Sequence, residues 1–179
     1  MGELDHDLAP LEQALVVLYD HALPEVYGYL VSRCRSDAIA EELTSETFMA
    51  AVAAVRRGTV AELSIAWLVG VARHKLVDHW RRRERESRAL RAVGDFASES
   101  DDEWDVRLDA LLAREILGEL GYQHRCALTL RYLDGLPVRE VAMYLDRTVG
   151  ATEALLIRAK AAFRTQYQAR STESGEELR

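Results

Sequence analysis

Apolar residues recur along this chain at spacings of three and four, and no stretch shows the strict alternation of a half-buried strand. Leu11, Leu15 and Leu18, then Val26, Tyr29 and Leu30, predict a helix or helix pair over 10–33. Ile39, Leu43, Phe48, Val52 and Val55 predict a second over 37–56, with Glu41, Glu42 and Glu46 facing out. Residues 57–64 (RGTVAELS) read as a loop. A long helix over 65–90 is apolar at Trp67, Leu68, Val71, Ala72 and Leu76, then basic to its end. Residues 92–106 carry six carboxylates with Gly94, Ser98 and Ser100 and read as a linker. Four more helices are predicted over 108–120, 122–134, 137–145 and 149–167, followed by a frayed polar tail from Ser171 to Arg179. The fold class is all-α: two small helical domains, 8–91 and 108–168, joined by a flexible acidic linker at 92–107 and ending in a tail at 169–179.

The most informative segment is 136–163, LPVREVAMYLDRTVGATEALLIRAKAAF. Pro137 opens a short helix at a position where a missing N–H costs nothing. Val141, Ala142 and Leu145 form its apolar face. Asp146-Arg147-Thr148 breaks it, Asp tolerating a left-handed turn and Thr148 capping the next helix. Thr152, Leu156 and Ala159 put one face of that helix inward. Ala142 is small where two helices must cross closely. This is the logic of a helix-turn-helix, whose second helix enters the DNA major groove.

Net charge is −7, the wrong sign for a DNA-binding protein taken as a whole. The distribution changes that picture. Between 73 and 91 stand Arg73, Lys75, Arg81, Arg82, Arg83, Arg85, Arg88 and Arg91 against Asp78, Glu84 and Glu86. The first fifty residues carry ten carboxylates and only Arg33 and Arg35 as strong cations. Local fields decide which surface meets a polyanion. The chain thus offers an acidic and a basic partner surface.

Candidate chemistry is sparse. His74, Asp78 and His79 stand at i, i+4 and i+5, but no metalloprotease pattern accompanies them and they lie inside the basic helix, so no metal is expected. There is no glycine-rich phosphate loop and no serine elbow. No catalytic residue and no cofactor are expected, and the chain is not read as an enzyme. Cys34 and Cys126 lack metal-type spacing and read as buried thiols of a reducing cytoplasm. The acidic start MGELDHDL is no signal peptide, and no apolar run is long enough for membrane insertion. A cytoplasmic location is expected.

Three segments, in order, resemble the extracytoplasmic-function (group IV) sigma factors of bacterial RNA polymerase. LYDHALPEVYGYL…DAIAEELTSETF (18–48) resembles their core-polymerase-binding region. WLVGVARHKLVDHWRRR (67–83) resembles the upstream half of their promoter-melting helix. RYLDGLPVREVA and RAKAAF, within 122–163, resemble their C-terminal domain. The resemblance covers about residues 10–165. It implies a subunit that binds core RNA polymerase, recognises the −10 and −35 elements of promoter DNA, initiates transcription with promoter melting, and is held in check by an anti-sigma factor. It places the polymerase contact on the acidic helix at Asp37, Glu41, Glu42 and Glu46.

The resemblance also implies a −10 surface. In the family the loop after the acidic helix receives a base flipped from the melted strand, which brings in Arg56, Arg57, Thr59 and Ser64. Arg73, Lys75, Arg81 and Arg82 suit phosphates. His74 stands where many members carry Asn, and Asp78 fits a common acidic position. Trp80, among Arg and His, either packs in the core or stacks on an unpaired base. The −35 surface comprises Arg131, Arg139, Arg147, Thr148, Gly150, Glu153, Ala154, Arg158 and Lys160, with Arg164 a further phosphate candidate. Arg147 replaces a usual aliphatic residue, and Glu153 and Leu155 stand where Lys or Arg is common. The recognition helix is therefore expected to be less basic than usual at its start.

Two other classes compete. A stand-alone helix-turn-helix repressor needs a dimer to read a palindrome, and the chain shows no heptad dimer helix. A helical adaptor that sequesters a transcription factor has no use for the basic run at 73–91.

Overall fold

A computed structural model of the chain describes residues 4–34, 36–90 and 110–176, with side chains described over 13–34, 36–86 and 110–171. The described residues are helical with no strand: α1 (Leu4–Val31), α2 (Asp37–Arg56), α3 (Ile65–Leu90), α4 (Ala110–Glu119), α5 (Tyr122–Leu128), α6 (Val138–Leu145) and α7 (Val149–Glu176). They divide into two compact units, Met1–His79 and Trp80–Arg179. This division falls inside α3. The linker read at 92–107 lies outside the described residues. No helix among the described residues is long and apolar enough to cross a membrane.

In the first unit α1 packs on α2. Val26 and Leu30 of α1, Leu43, Ala51 and Val55 of α2, and Leu68, Ala72 and Leu76 of α3 are all buried. The Tyr19 and Phe48 rings meet edge to face at 4.7 Å. Thr44 and Thr47 are buried without cost because each hydroxyl donates to the carbonyl four residues back, Ala40 and Leu43, at 2.7 Å. α2 ends at Gly58, whose φ of +64° is the left-handed conformation that glycine adopts without strain. Ser64 starts α3: its Oγ accepts the Trp67 N–H at 3.2 Å.

In the second unit Ile116, Leu120, Leu128, Ala159 and Phe163 form a core between α4, α5 and α7. Arg125 closes the end of α4. Its Nε donates to the Leu117 carbonyl at 2.8 Å, and its Nη2 to the carbonyls of Gly118 and Leu120, at the end of α4 where helix carbonyls outnumber helix N–H donors. Arg170 of α7 pairs with Glu115 and Glu119 of α4 at 3.6 and 2.6 Å.

The structure corrects several expectations. Residues 10–33 are not a helix pair: one helix runs from Leu4 to Val31. Val52, read as inward, is 37% exposed, and Ala51 takes the core position beside it. Trp67, on the apolar face read for α3, is half-buried. The helix read over 122–134 widens into a π turn at Thr129–Leu133. There the Asp134 N–H reaches back five residues to the Thr129 carbonyl at 3.0 Å, and Gly135 at φ +68° then ends the run. The tail read as frayed from Ser171 continues α7 to Glu176. The pairs made by Arg170 and the Ser171 Oγ bond to the Tyr167 carbonyl at 2.8 Å lie at that extension.

Candidate nucleic-acid and partner surfaces

The turn between α6 and α7 forms as its sequence dictates. Asp146 sits in the left-handed region at φ 54°, ψ 52°. Its N–H donates to the Met143 carbonyl at 3.3 Å, and the Arg147 N–H to the Ala142 carbonyl at 3.0 Å, a Schellman arrangement built on Asp instead of Gly. Thr148 Oγ1 accepts the Ala151 N–H at 3.2 Å and caps α7. Val141, Ala142 and Leu145 are buried, as are Thr152, Leu156 and Ala159, so the two helices cross through the faces read from spacing.

The buried residues of α7 fix what the helix presents outward. Gly150, Glu153, Ala154, Ile157 and Arg158 are exposed and form one stripe at intervals of three and four. Thr148 and Arg139 are exposed beside it. Two expectations change here. Leu155 is 1% exposed and belongs to the core, so its failure to be basic says nothing about the groove face. Arg131, read as a phosphate contact, donates from Nη1 to the Leu136 carbonyl at 2.9 Å and braces the turn into α6. Lys160 and Arg147 are half-buried. Ile157 is the residue that sequence reasoning missed. Extending the stripe one turn past Glu153 and Ala154 would have found it.

In the first unit Asp37, Glu41 and Glu42 are exposed on α2. Their field reaches Tyr27 on α1, whose phenol is pushed up by desolvation first, then by the carboxylates of Asp37 and Glu41. Glu46, read as facing out with them, instead pairs with Lys75 of α3 at 3.4 Å. Beside the acidic face lies an open groove of about 1080 Å³ between α1 and α2, lined by Leu15, Val16, Tyr19, Phe48, Met49 and Val52 with Asp20 and Glu41 at its rim. Sequence reading missed this groove, because Val52 counted as core and Val16 and Met49 fell off the inward pattern.

The −10 candidates separate into two groups. Arg56, Arg57, Thr59, His74, Asp78 and Arg82 are exposed. The others hold the fold. Ser64 caps α3, and Thr59 Oγ1 also donates to the Ala54 carbonyl at 3.0 Å. Arg73 lies over the Tyr29 ring at 5.8 Å and Lys75 pairs with Glu46. Within the second unit, Arg81 donates from Nε to the Tyr122 hydroxyl at 3.1 Å and from Nη2 to the Tyr144 carbonyl at 3.2 Å. Trp80 is 7% exposed with the Arg125 guanidinium 5.7 Å from its ring centre, so the core reading describes it and base stacking does not. His74 is held below the usual histidine range by desolvation, partly opposed by Asp78.

Among the described residues no group of three His, Cys, Asp or Glu is placed to hold a metal. Burial pushes the Cys34 thiol up to about 11 and raises Cys126 as well, which leaves both as poor nucleophiles.

Comparison with known proteins decides the family. Residues 18–86 match Sigma-70 region 2, and residues 110–163 match Sigma-70, region 4. The chain belongs to the extracytoplasmic-function sigma factors. It is 31% identical over 147 residues to the ECF RNA polymerase sigma factor BldN of Streptomyces coelicolor, covering 79% of this chain and 56% of that one. It is 29% identical to the ECF RNA polymerase sigma factor SigL of Mycobacterium tuberculosis (89% of this chain, 93% of the relative), and 27% identical to SigM of Bacillus subtilis (84% and 93%). Among solved structures it is similar to the sigma factor RpoE of Bartonella quintana, crystallised with the anti-sigma factor NepR. That match has 20% identity and a TM-score of 0.55, covers 89% of this chain and 97% of that one, and establishes likeness of fold.

On this sigma factor the region 2 match spans the acidic face, the loop 57–64 and the exposed cations of α3. The region 4 match ends at Phe163, the last buried residue of the crossing helix pair. Factors of this family serve promoter recognition and transcription initiation by RNA polymerase.

Proposed function

We propose that this sigma factor binds core RNA polymerase through α2, recognises a −35 element with α7 and a −10 element with the loop 57–64 and α3, and initiates transcription with promoter melting. The observation that carries the reading is the presence of region 2 and region 4 in order on one chain, with an exposed acidic face on the first and an exposed helix-turn-helix stripe on the second. The chemistry of RNA synthesis belongs to the polymerase, so the chain is a regulatory subunit rather than an enzyme. It acts in the cytoplasm, where the polymerase is.

Roles divide by exposure. Asp37, Glu41 and Glu42 meet a basic partner face on the polymerase. Glu46 and Lys75 pair with each other and hold α2 to α3. Arg56, Arg57 and Arg82 contact phosphates around the melted strand, with His74 and Asp78 toward its bases. Gly150, Glu153, Ala154 and Arg158 face the −35 groove, and Thr148 sets the start of that helix. An anti-sigma factor, of the kind seated on the Bartonella relative, fits the apolar groove of α1 and α2 with its acidic rim. Two stable domains flank the linker at 92–107.

The test is transcription reconstituted from core polymerase and the purified chain, with start sites mapped on genomic templates of the source bacterium. New starts preceded by a shared pair of spaced elements are expected. Core binding without any new start would contradict the reading.

A further inference from the structure

Ile157 stands out because the fold has no use for it. It is 47% exposed on α7, while Leu155 and Leu156 beside it are buried and take the core positions. A β-branched residue on a helix surface gives up some helix propensity relative to Ala, and an exposed aliphatic side chain gains nothing from burial. Its neighbours on the stripe are Glu153, Ala154 and Arg158, all exposed.

The position suits a base contact. Ile157 lies eight residues past Val149, the first residue of α7, and at 1.5 Å per residue that is about 12 Å along the axis. A recognition helix lies in the major groove rather than entering it end-on, so a residue two turns from its start stays beside the base edges. Gly150 and Ala154, on the same face, present almost no side chain. A Cβ built at Gly150 would meet nothing within 4 Å, so packing inside the protein does not require glycine there. The small residues let the helix approach closely, and Ile157 projects beyond them.

The chemistry of the occupant follows. The apolar feature of the major groove is the thymine 5-methyl group, set among hydrogen-bonding base edges and phosphates. A lone aliphatic side chain between a carboxylate and a guanidinium matches a lone methyl in polar surroundings. A protein partner would call for a contiguous apolar patch, whereas the other exposed large aliphatic of α7, Val149, stands eight residues away at the helix start.

We infer that Ile157 is a specificity-determining residue that packs on the 5-methyl group of one thymine in the upstream promoter element. The inference rests on the sigma-factor reading and adds to it a residue and a base.

The test uses holoenzyme assembled from core polymerase and the full chain, binding promoter fragments in which single upstream thymines are replaced by uracil. Uracil keeps every hydrogen bond and removes only the methyl. Burying one methyl corresponds to about a fourfold change in affinity. Wild-type holoenzyme is expected to lose about fourfold at one position. Ile157→Ala is expected to lose the same on the thymine promoter and to bind the thymine and uracil versions alike, and Ile157→Val to keep part of the difference. A wild-type enzyme indifferent to uracil at every position would overturn the inference. So would an Ile157→Ala holoenzyme that keeps the full uracil penalty. Failure of wild-type holoenzyme to assemble at all would instead contradict the sigma-factor reading and take the inference down with it. Because Ile157 is exposed, an unchanged thermal midpoint is expected for both variants.

Discussion

α3 and α7 are both long helices that turn basic along their length, yet they hold their charges differently. On α3, Arg73 lies over Tyr29, Lys75 pairs with Glu46, and Arg81 reaches Tyr122 and Tyr144, while Arg82 is exposed. On α7, Thr152, Leu155, Leu156, Ala159 and Phe163 carry the packing, and the opposite stripe is left to solvent. A cation in a run is therefore a weak guide to what meets DNA. The face left over once burial is satisfied is a better one. Removing a framework cation costs stability, and removing an exposed one costs affinity for a polyanion.

The largest effect separates the acidic residues of α2 by the same rule. Reversing Glu41 and Glu42 to Lys should abolish capture of core polymerase and leave the thermal midpoint nearly unchanged, since surface changes move stability by about 0.5 kcal/mol or less. Reversing Glu46 sets two cations together across α2 and α3, and should lower the midpoint. If Glu41→Lys/Glu42→Lys still pulls down core enzyme at the wild-type level, the acidic face is not the docking surface.

On α3 the contrast is within one dipeptide. Arg82→Ala should weaken open-complex formation at all promoters alike and lower the salt slope of binding by about one. Arg81→Ala should cost about 1 kcal/mol or more in thermal stability, through two lost hydrogen bonds from a charged donor. Equal salt slopes for Arg82→Ala and wild type would remove the phosphate role from this helix.

Smaller effects probe the turns that aim the helices. Ser64→Ala removes the cap of α3 and should cost about 1 kcal/mol in a denaturant titration. Asp146→Gly should do the opposite, because a left-handed conformation costs an L-residue about 1–2 kcal/mol that glycine does not incur. A destabilised Asp146→Gly would mean that the Asp side chain holds the turn by contacts not seen here.

The smallest concerns pH. The His74 pKa is lowered in the fold, so the unfolded chain binds a proton more readily. Stability should be full above the unfolded pKa of about 6.5 and decline as pH falls below it. His74→Gln should flatten that decline. A variant that keeps the wild-type slope between pH 7 and 5 would assign it to another group.

How much of this was legible in the sequence differs between the two regions. The helix-turn-helix was readable almost residue by residue, since its signals are local: Asp146 in a left-handed turn, Thr148 as a cap, and buried faces spaced by three and four. The limits of α1 and α7 were not. Pro24, inside α1, signals a break that the helix does not make, and Arg170 of α7 finds its partners more than fifty residues away on α4. The roles of Lys75 and Arg81 were hidden for the same reason, because Glu46 and Tyr122 are distant in sequence. Val52 misled because Ala51, one position earlier, takes the core position on α2, and a small residue is a weak signal in an apolar pattern. The bond from Arg131 to the Leu136 carbonyl was hidden too, because a hydrogen bond from a side chain to a backbone carbonyl leaves no trace in composition.

The central claim is that promoter recognition by this chain belongs to its complex with polymerase. Equilibrium binding to a mapped promoter fragment, with the chain alone and with core enzyme added, tests it most directly. Specific binding, resistant to competitor DNA, is expected only when core enzyme is present. Specific binding by the chain alone, above all to a palindrome as a dimer, would contradict it and favour a stand-alone regulator.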